Sequence, residues 1–193
     1  MGCRMYTDFI KLKSDCLNCK ACDLSKTRNN VVFGVGNEKA DVLFIGEAPG
    51  ENEDLSGEAF VGRGGKLLDH ALNSVGLSRD ENIFIANTVK CRPPKNRDPL
   101  PFEQEMCKKW LDAQIDFIKP KIIVCLGRIS ARKFIGKNFK ISSEHGKFFE
   151  IDGRLVVAVL HPAAILRNPH NKEAFLKDFE IIKNKMVELD SFF

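Results

Sequence analysis

Four short apolar runs punctuate the chain: VLFI (Val42 to Ile45), IFIA (Ile83 to Ala86), IIVCL (Ile122 to Leu126) and LVVAVL (Leu155 to Leu160). Each is rich in β-branched residues, bounded by turn residues and too short for a helix, which is the pattern of a strand buried on both faces. Between them the apolar spacing changes to that of helices. Leu68, Ala71, Leu72 and Val75 share one face, Phe102, Met106, Trp110, Ala113 and Phe117 a second, and Phe175, Phe179, Ile182, Met186 and Leu189 a third. Strands alternating with helices predict an α/β fold, a three-layer α/β/α sandwich around a mostly parallel four-stranded sheet. Asp152-Gly153, between the apolar runs of FFEIDGRLVV, predicts a hairpin.

In an open parallel sheet, ligands bind beyond the carboxyl ends of the strands. The loops that leave those ends read Gly46-Glu47-Ala48-Pro49-Gly50, Asn87-Thr88, Gly127 and His161-Pro162-Ala163-Ala164. A carboxylate, an amide and an imidazole therefore converge on one edge. Each has a structural alternative: Asn87 as a turn cap, His161 as a satisfied buried histidine, Glu47 as a helix cap. Their joint arrival favours a site. The stretch from Phe60 to Lys66 is not a nucleotide phosphate loop, because Phe60 stands where that motif needs Gly and Leu67 where it needs Ser or Thr. Its glycines, just before a helix, still let backbone amides approach a phosphate.

Composition narrows the class. The 193 residues are 44% apolar and 29% charged, with no repeat and no Gly/Ser linker, so a single domain over 1–193 is expected. A chain of this length builds a core without disulfides or metal, and any metal site needs another reason to exist. No apolar run approaches the ~20 residues of a membrane helix. MGCRMYTDFIKLKSD has no signal-type apolar core, so a cytoplasmic, nucleoid-associated location with no membrane partner is expected. Thirty Lys and Arg against twenty-six Asp and Glu give a net charge of +4, which permits a polyanionic partner.

Seven cysteines in a reducing compartment read as ligands with extra core thiols. Cys16, Cys19 and Cys22 follow C-x2-C-x2-C spacing, while fifteen residues lie between Cys91 and Cys107. Zinc sites usually take two short knuckles, and the second is missing, which favours an iron–sulfur cluster. The alternative is that Cys91 and Cys107 are unrelated core thiols. Cys125, inside a strand, reads as core, and Cys3 lies at a terminus.

The ordered set Cys19-x2-Cys22, VVFGVGN, GEAPGENED, GEAFVGRGG, NTVKCRPPKNR, Cys107 and HPAAILRNP resembles the family 4 uracil-DNA glycosylases, the iron–sulfur branch of the uracil glycosylase superfamily. The resemblance runs from about Cys19 to Phe179. It implies a monomeric enzyme that flips uracil out of DNA, hydrolyses its N-glycosidic bond and starts base-excision repair. It also implies a 4Fe-4S cluster on Cys19, Cys22, Cys91 and Cys107, with Cys16 outside the pattern. Phe60 matches the aromatic that stacks on the base, Asn87 the amide that reads its edge, His161 the histidine facing uracil O2, and Glu47 a glutamate that positions water or shapes the pocket. Gly46, Ala48 and Gly50 complete the base-binding loop. Family 1 enzymes carry an aspartate and a tyrosine where this chain has Ala48 and Gly50.

The DNA-contacting residues expected are the basic loop Lys90, Arg92, Lys95 and Arg97, together with Arg63 and Arg167, and Ile165 or Leu166 as a wedge in the vacated stack. The departures from the family pattern, Ala59, Gly64 and His145-Gly146, remove none of these groups. The long basic loop with a nucleophilic histidine, found in a DNA-trapping relative, is absent, so turnover is expected. A non-enzymatic iron–sulfur redox protein would explain the cysteines but leave Glu47, Asn87 and His161 without a task. A zinc-dependent nucleic-acid module is disfavoured by the knuckle spacing.

Overall fold

A computed structural model describes residues 6–191; Cys3 lies outside the described residues. Among these residues six strands form one sheet: β1 (Val35–Gly36), β2 (Val42–Gly46), β3 (Ile83–Asn87), β4 (Ile122–Leu126), β5 (Phe148–Ile151) and β6 (Arg154–Val159). Their order is β1-β3-β2-β4-β6-β5. The four apolar runs are the parallel centre, β3-β2-β4-β6. Two antiparallel edge strands enlarge the expected four-stranded sheet to six. One is β5, the first arm of the hairpin turned at Asp152-Gly153. The other, β1, is only two residues long and has no apolar run to announce it.

Among the described residues eight α-helices accompany the sheet: α1 (Phe9–Leu17), α2 (Glu51–Ser56), α3 (Arg63–Ser74), α4 (Pro101–Ile118), α5 (Arg128–Phe134), α6 (Ile141–Glu144), α7 (Pro162–Arg167) and α8 (Lys172–Asp190). Alternate side chains of each central strand enter opposite cores, as the two-residue period of a strand requires. Leu43, Ile45, Ile123, Cys125, Val156 and Ala158 face the layer with α1 and α4. Val42, Phe44, Ile122, Val124, Val157 and Val159 face the layer with α3 and α8. Phe179 of α8 stacks on Phe44 at 5.8 Å and meets Phe175 edge-on at 4.9 Å. Burying such rings stabilises the layer by about 1.5–3 kcal/mol each.

The helix faces expected around Leu68 and around Phe175 are the buried ones. On α4 the buried stripe is Trp110, Leu111, Ala113, Gln114, Ile115 and Ile118. Phe102, expected on that stripe, is instead 63% exposed. Pro101 opens the helix, and the first turn rotates so that the Glu103 carboxylate accepts from the Leu100 N–H at 2.7 Å. That turn points Glu103 inward and Phe102 out. Among the described residues no helix is long and apolar enough to cross a membrane.

Because β3 and β4 lie on opposite sides of β2, the chain switches direction there. Such a switch opens a crevice outside the carboxyl ends of the strands.

Candidate functional site

A cleft of about 730 Å³ occupies that crevice. Glu47, Ala48 and Gly50 from the loop after β2, Phe60, Asn87 at the end of β3, Gly127 after β4 and His161 after β6 all line it. The residues that the strand ends were expected to deliver are thus brought together. Gly46 lies behind them. A Cβ there would collide with Asn87 Oδ1 and reach within 2.7 Å of the Phe60 ring, so this position must lack a side chain.

Asn87 is 1% exposed and its Oδ1 is a buried acceptor with no hydrogen-bond partner. Such an atom is unfavourable unless a ligand donates to it. His161 caps α7, with its Nδ1 accepting from the Ala163 N–H at 3.1 Å. Nδ1 therefore carries no proton, and the neutral ring presents Nε2–H as a donor. Burial lowers the His161 pKa to about 4, with Arg167 adding to the effect. The ring stays neutral throughout the physiological range. Its centroid lies 6.0 Å from that of Phe60.

Phe60 sits at φ 55°, in the left-handed region that a residue with a side chain adopts at a cost of roughly 1–2 kcal/mol. Two groups hold it there. Arg79 donates from Nη1 to the Ala59 carbonyl at 2.7 Å and from Nη2 to the Phe60 carbonyl at 2.8 Å, while its Nε binds Asp69 at 2.7 Å. Glu53 accepts from the N–H groups of Val61 and Gly62, both at 2.9 Å, and of Gly50 at 3.1 Å. One carboxylate thereby ties the loop after β2 to the turn before α3. Gly65 completes the arrangement, because a Cβ there would collide with the Phe60 carbonyl. Sequence reasoning passed over Arg79 and Glu53. The glutamate three residues after Gly50 was the available signal for the latter.

Glu47 is half-buried at the mouth of the cleft. Burial raises its pKa to about 7, the neighbouring Asp98 carboxylate pushes the same way, and Arg128 opposes both. Arg128 Nη2 pairs with Asp98 at 2.9 Å. The carboxyl thus titrates near neutrality.

Behind the cleft, Cys19, Cys22, Cys91 and Cys107 line one pocket, together with Leu24, Val31, Val89, Met106 and Trp110. Arg28 donates from Nη1 to Cys91 Sγ at 3.1 Å and from Nη2 to the Cys19 carbonyl at 2.7 Å. The Lys90 N–H donates to Cys107 Sγ at 3.2 Å. Among the described residues no three His, Cys, Asp or Glu side chains converge on one point where a single ion would sit. A cubane takes each thiolate at a separate iron, and four cysteines lining one largely apolar pocket, with N–H donors to two of the sulfurs, are residues that suit it. Cys16 belongs to the same core cluster as Cys91 but does not line the pocket; it is fully buried, and burial pushes its thiol up to about 12. Cys125 is a core residue of β4.

Two residues expected at the DNA surface are not there. Lys90 is 1% exposed and turned into the core, where its Nζ is held by a carbonyl and an amide. Ile165 is 3% exposed because α7 packs that face on α3, leaving Leu166, 41% exposed, as the outward residue. Arg63, Lys95 and Arg167 are exposed. Arg92 is pinned to Asn96 Oδ1 at 2.7 Å, and Arg97 is committed through both Nη atoms to Glu103 at 2.9 and 2.6 Å.

The fold and site define a class. A family model described as Uracil DNA glycosylase superfamily matches residues 33–183, and the chain belongs to that superfamily. Within it, the chain is 49% identical over 175 residues to a type-4 uracil-DNA glycosylase of Archaeoglobus fulgidus, covering 86% of this chain and 87% of the relative. It is 47% identical to one from Saccharolobus solfataricus, covering 90% and 86%, and 43% identical to one from Thermotoga maritima, covering 93% and 97%.

Proposed function

We propose that the protein excises uracil from DNA by hydrolysing the bond between uracil N1 and deoxyribose, leaving an abasic site that starts base-excision repair. The orphaned Oδ1 of Asn87 is the observation that carries this reading. Uracil N3–H is a donor of the right kind for it, and the Asn87 amide N–H then serves uracil O4. The likeness to the type-4 enzymes supports the same assignment.

The bond reaches the site only when the nucleotide leaves the duplex, at an unstacking cost of a few kcal/mol. Stacking on Phe60 returns part of that. As the bond breaks, negative charge moves onto the uracil ring, and His161 Nε2–H donates to O2 where it accumulates. Glu47 as a carboxylate orients water and stabilises the electron-poor sugar. Arg63, Lys95 and Arg167 meet phosphates, and Leu166 enters the vacated stack. Cys19, Cys22, Cys91 and Cys107 would hold a 4Fe-4S cluster. When bound, it would cross-link the loop after β3 to α4 and the segment after α1, a structural task.

The deciding assay incubates the purified protein with uracil-containing and matched uracil-free oligonucleotides. Abasic sites only in the former are expected; none in either would remove the assignment. Serine at Cys19, Cys22, Cys91 or Cys107 is expected to lower iron content and soluble yield. Cys16→Ala, which avoids burying a hydroxyl, should keep both, and iron lost from it but not from Cys107→Ser would overturn the ligand set.

The rate should also report on Glu47. With a pKa of about 7 its active carboxylate is depleted as pH falls, so single-turnover cleavage should drop about tenfold per unit below pH 7 and level off above it. Asp98→Asn removes the neighbouring negative charge, lowers the Glu47 pKa and should move this limb to lower pH. An unmoved limb would assign it to another group.

A further inference from the structure

Lys90 is a long polar side chain with almost no exposure, and neither the basic loop nor the cleft uses it. Its Nζ donates to the main-chain carbonyl of Asn87 at 3.0 Å and to Gln114 Oε1 at 2.6 Å. Gln114 is itself fully buried and donates from Nε2 to the Phe33 carbonyl at 2.9 Å. At its other end, the Lys90 N–H donates to Cys107 Sγ, and the next residue is Cys91. One residue therefore touches both the base-reading strand end and the cysteine pocket.

We propose that Lys90 is a positioning residue: its Nζ fixes the peptide carbonyl of Asn87, and with it the amide that reads uracil, against α4 and the cysteine pocket. This rests on the reading of Asn87 and the four cysteines given above. Asn87 is the last residue of β3, in register with Gly46 at the end of β2. Beyond that point the strand pairing ends; the Val89 N–H and Thr88 Oγ1 still donate to the Glu47 carbonyl at 3.2 and 2.6 Å, but neither reaches the Asn87 carbonyl, which meets the buried Lys90 Nζ. The Thr88 N–H still returns to the Gly46 carbonyl at 3.0 Å, which anchors the far side of the same peptide. Lys90 supplies the anchor on the carbonyl side. Without it, Asn87 O and Gln114 Oε1 become buried acceptors lacking this donor, and the peptide turns or admits water to satisfy itself. A shift of about 1 Å in a group that aligns substrate can lower a rate by about 10²-fold.

Lys90→Met, close in length and apolar, tests this. Single-turnover uracil cleavage is expected to fall about 10²-fold. Inhibition by free uracil should weaken by a similar factor, while iron content and affinity for uracil-free DNA stay at the parent values. Gln114→Leu, which touches neither uracil nor a cysteine, should weaken both readings about tenfold by loosening Lys90. The double variant should be no worse than Lys90→Met, since both act through one network. A lysine that only supports the fold would lower the melting temperature and leave uracil inhibition intact. That result, an additive double variant, or rate loss that tracks iron loss would each overturn the proposal. Should Lys90→Met fail to fold, uracil inhibition of Gln114→Leu decides in the same way. Asn87→Ala run in parallel separates the two levels. If it binds uracil like the parent, the base-reading assignment falls and this role with it. If it is impaired while Lys90→Met is not, only the Lys90 role falls.

Discussion

Replacing His161 by alanine is expected to slow single-turnover uracil cleavage by about 10²–10³-fold while leaving DNA affinity nearly unchanged. In the proposed role the donor at Nε2 acts mainly after charge has moved onto O2, so its loss would be felt in the transition state and little in the ground state. Part of the fold is removed too, because Nδ1 caps α7 through the Ala163 N–H. His161→Asn separates the two, since asparagine keeps a capping acceptor and loses the donor that reaches the base. Both variants should be equally slow, and only alanine should also lower the melting temperature. The low pKa of His161 adds a pH criterion. Protonation begins to matter only as pH approaches 4, so an acid limb near pH 7 should survive in His161→Asn. Binding is the converse test. Lys95, Arg63 and Arg167 replaced together by alanine should weaken affinity and flatten its salt dependence by about 0.9 in log–log slope for each phosphate no longer neutralised. Cleavage at the parent rate by His161→Ala, or a parent salt slope in the triple variant, would withdraw the corresponding role.

The second large effect concerns selectivity. A site built to hydrogen-bond one donor–acceptor pattern can reject its mismatch by about 10⁴-fold. Cytosine reverses the pattern of uracil at N3 and at the exocyclic group. Asn87→Asp places a carboxyl where the side chain is almost wholly buried. Burial raises a carboxyl pKa, so the acid form, with one O–H donor and one acceptor, persists toward neutrality. That form suits cytosine. Uracil excision should fall by about 10²-fold, cytosine excision should become detectable, and the ratio of cytosine to uracil excision should increase as pH is lowered, because the Glu47 limb acts on both substrates alike. Single-turnover rates on matched uracil and cytosine oligonucleotides from pH 5.5 to about 8 measure all three. A variant with full uracil activity and unchanged selectivity would show that Asn87 does not read the base.

What could be read in advance follows the range of each signal. The central strands and α8 were legible because burial on both faces, or on one helical face, imposes a period on the apolar residues. Asn87, His161 and Glu47 were legible as a set because topology alone sends strand ends to one edge. The two-residue β1 has no period to detect. Lys90 was misplaced because its neighbours Arg92, Lys95 and Arg97 suggest a solvated loop, while its partners Asn87 and Gln114 are visible only in three dimensions. Phe102 was misplaced because the Glu103 cap, not apolarity, sets the rotation of the first turn of α4. Ile165 and Leu166 are alike in chemistry, and only packing on α3 tells them apart. Arg97, an unpaired cation in the sequence, spends its fork on Glu103.

The turn carrying Phe60 bears on how this pocket can evolve. Its unusual backbone is tied down by Arg79 and Glu53, neither of which needs to touch the base. Changing a wall residue therefore alters what the pocket prefers but not how far apart its walls stand. Wider substrate range, toward bulkier or oxidised pyrimidines, would arise first from drift at Arg79 or its partner Asp69, some distance from any residue that meets the base. Directed evolution for such bases should accumulate its early gains at those two positions, with mutations in the cleft becoming useful only afterwards.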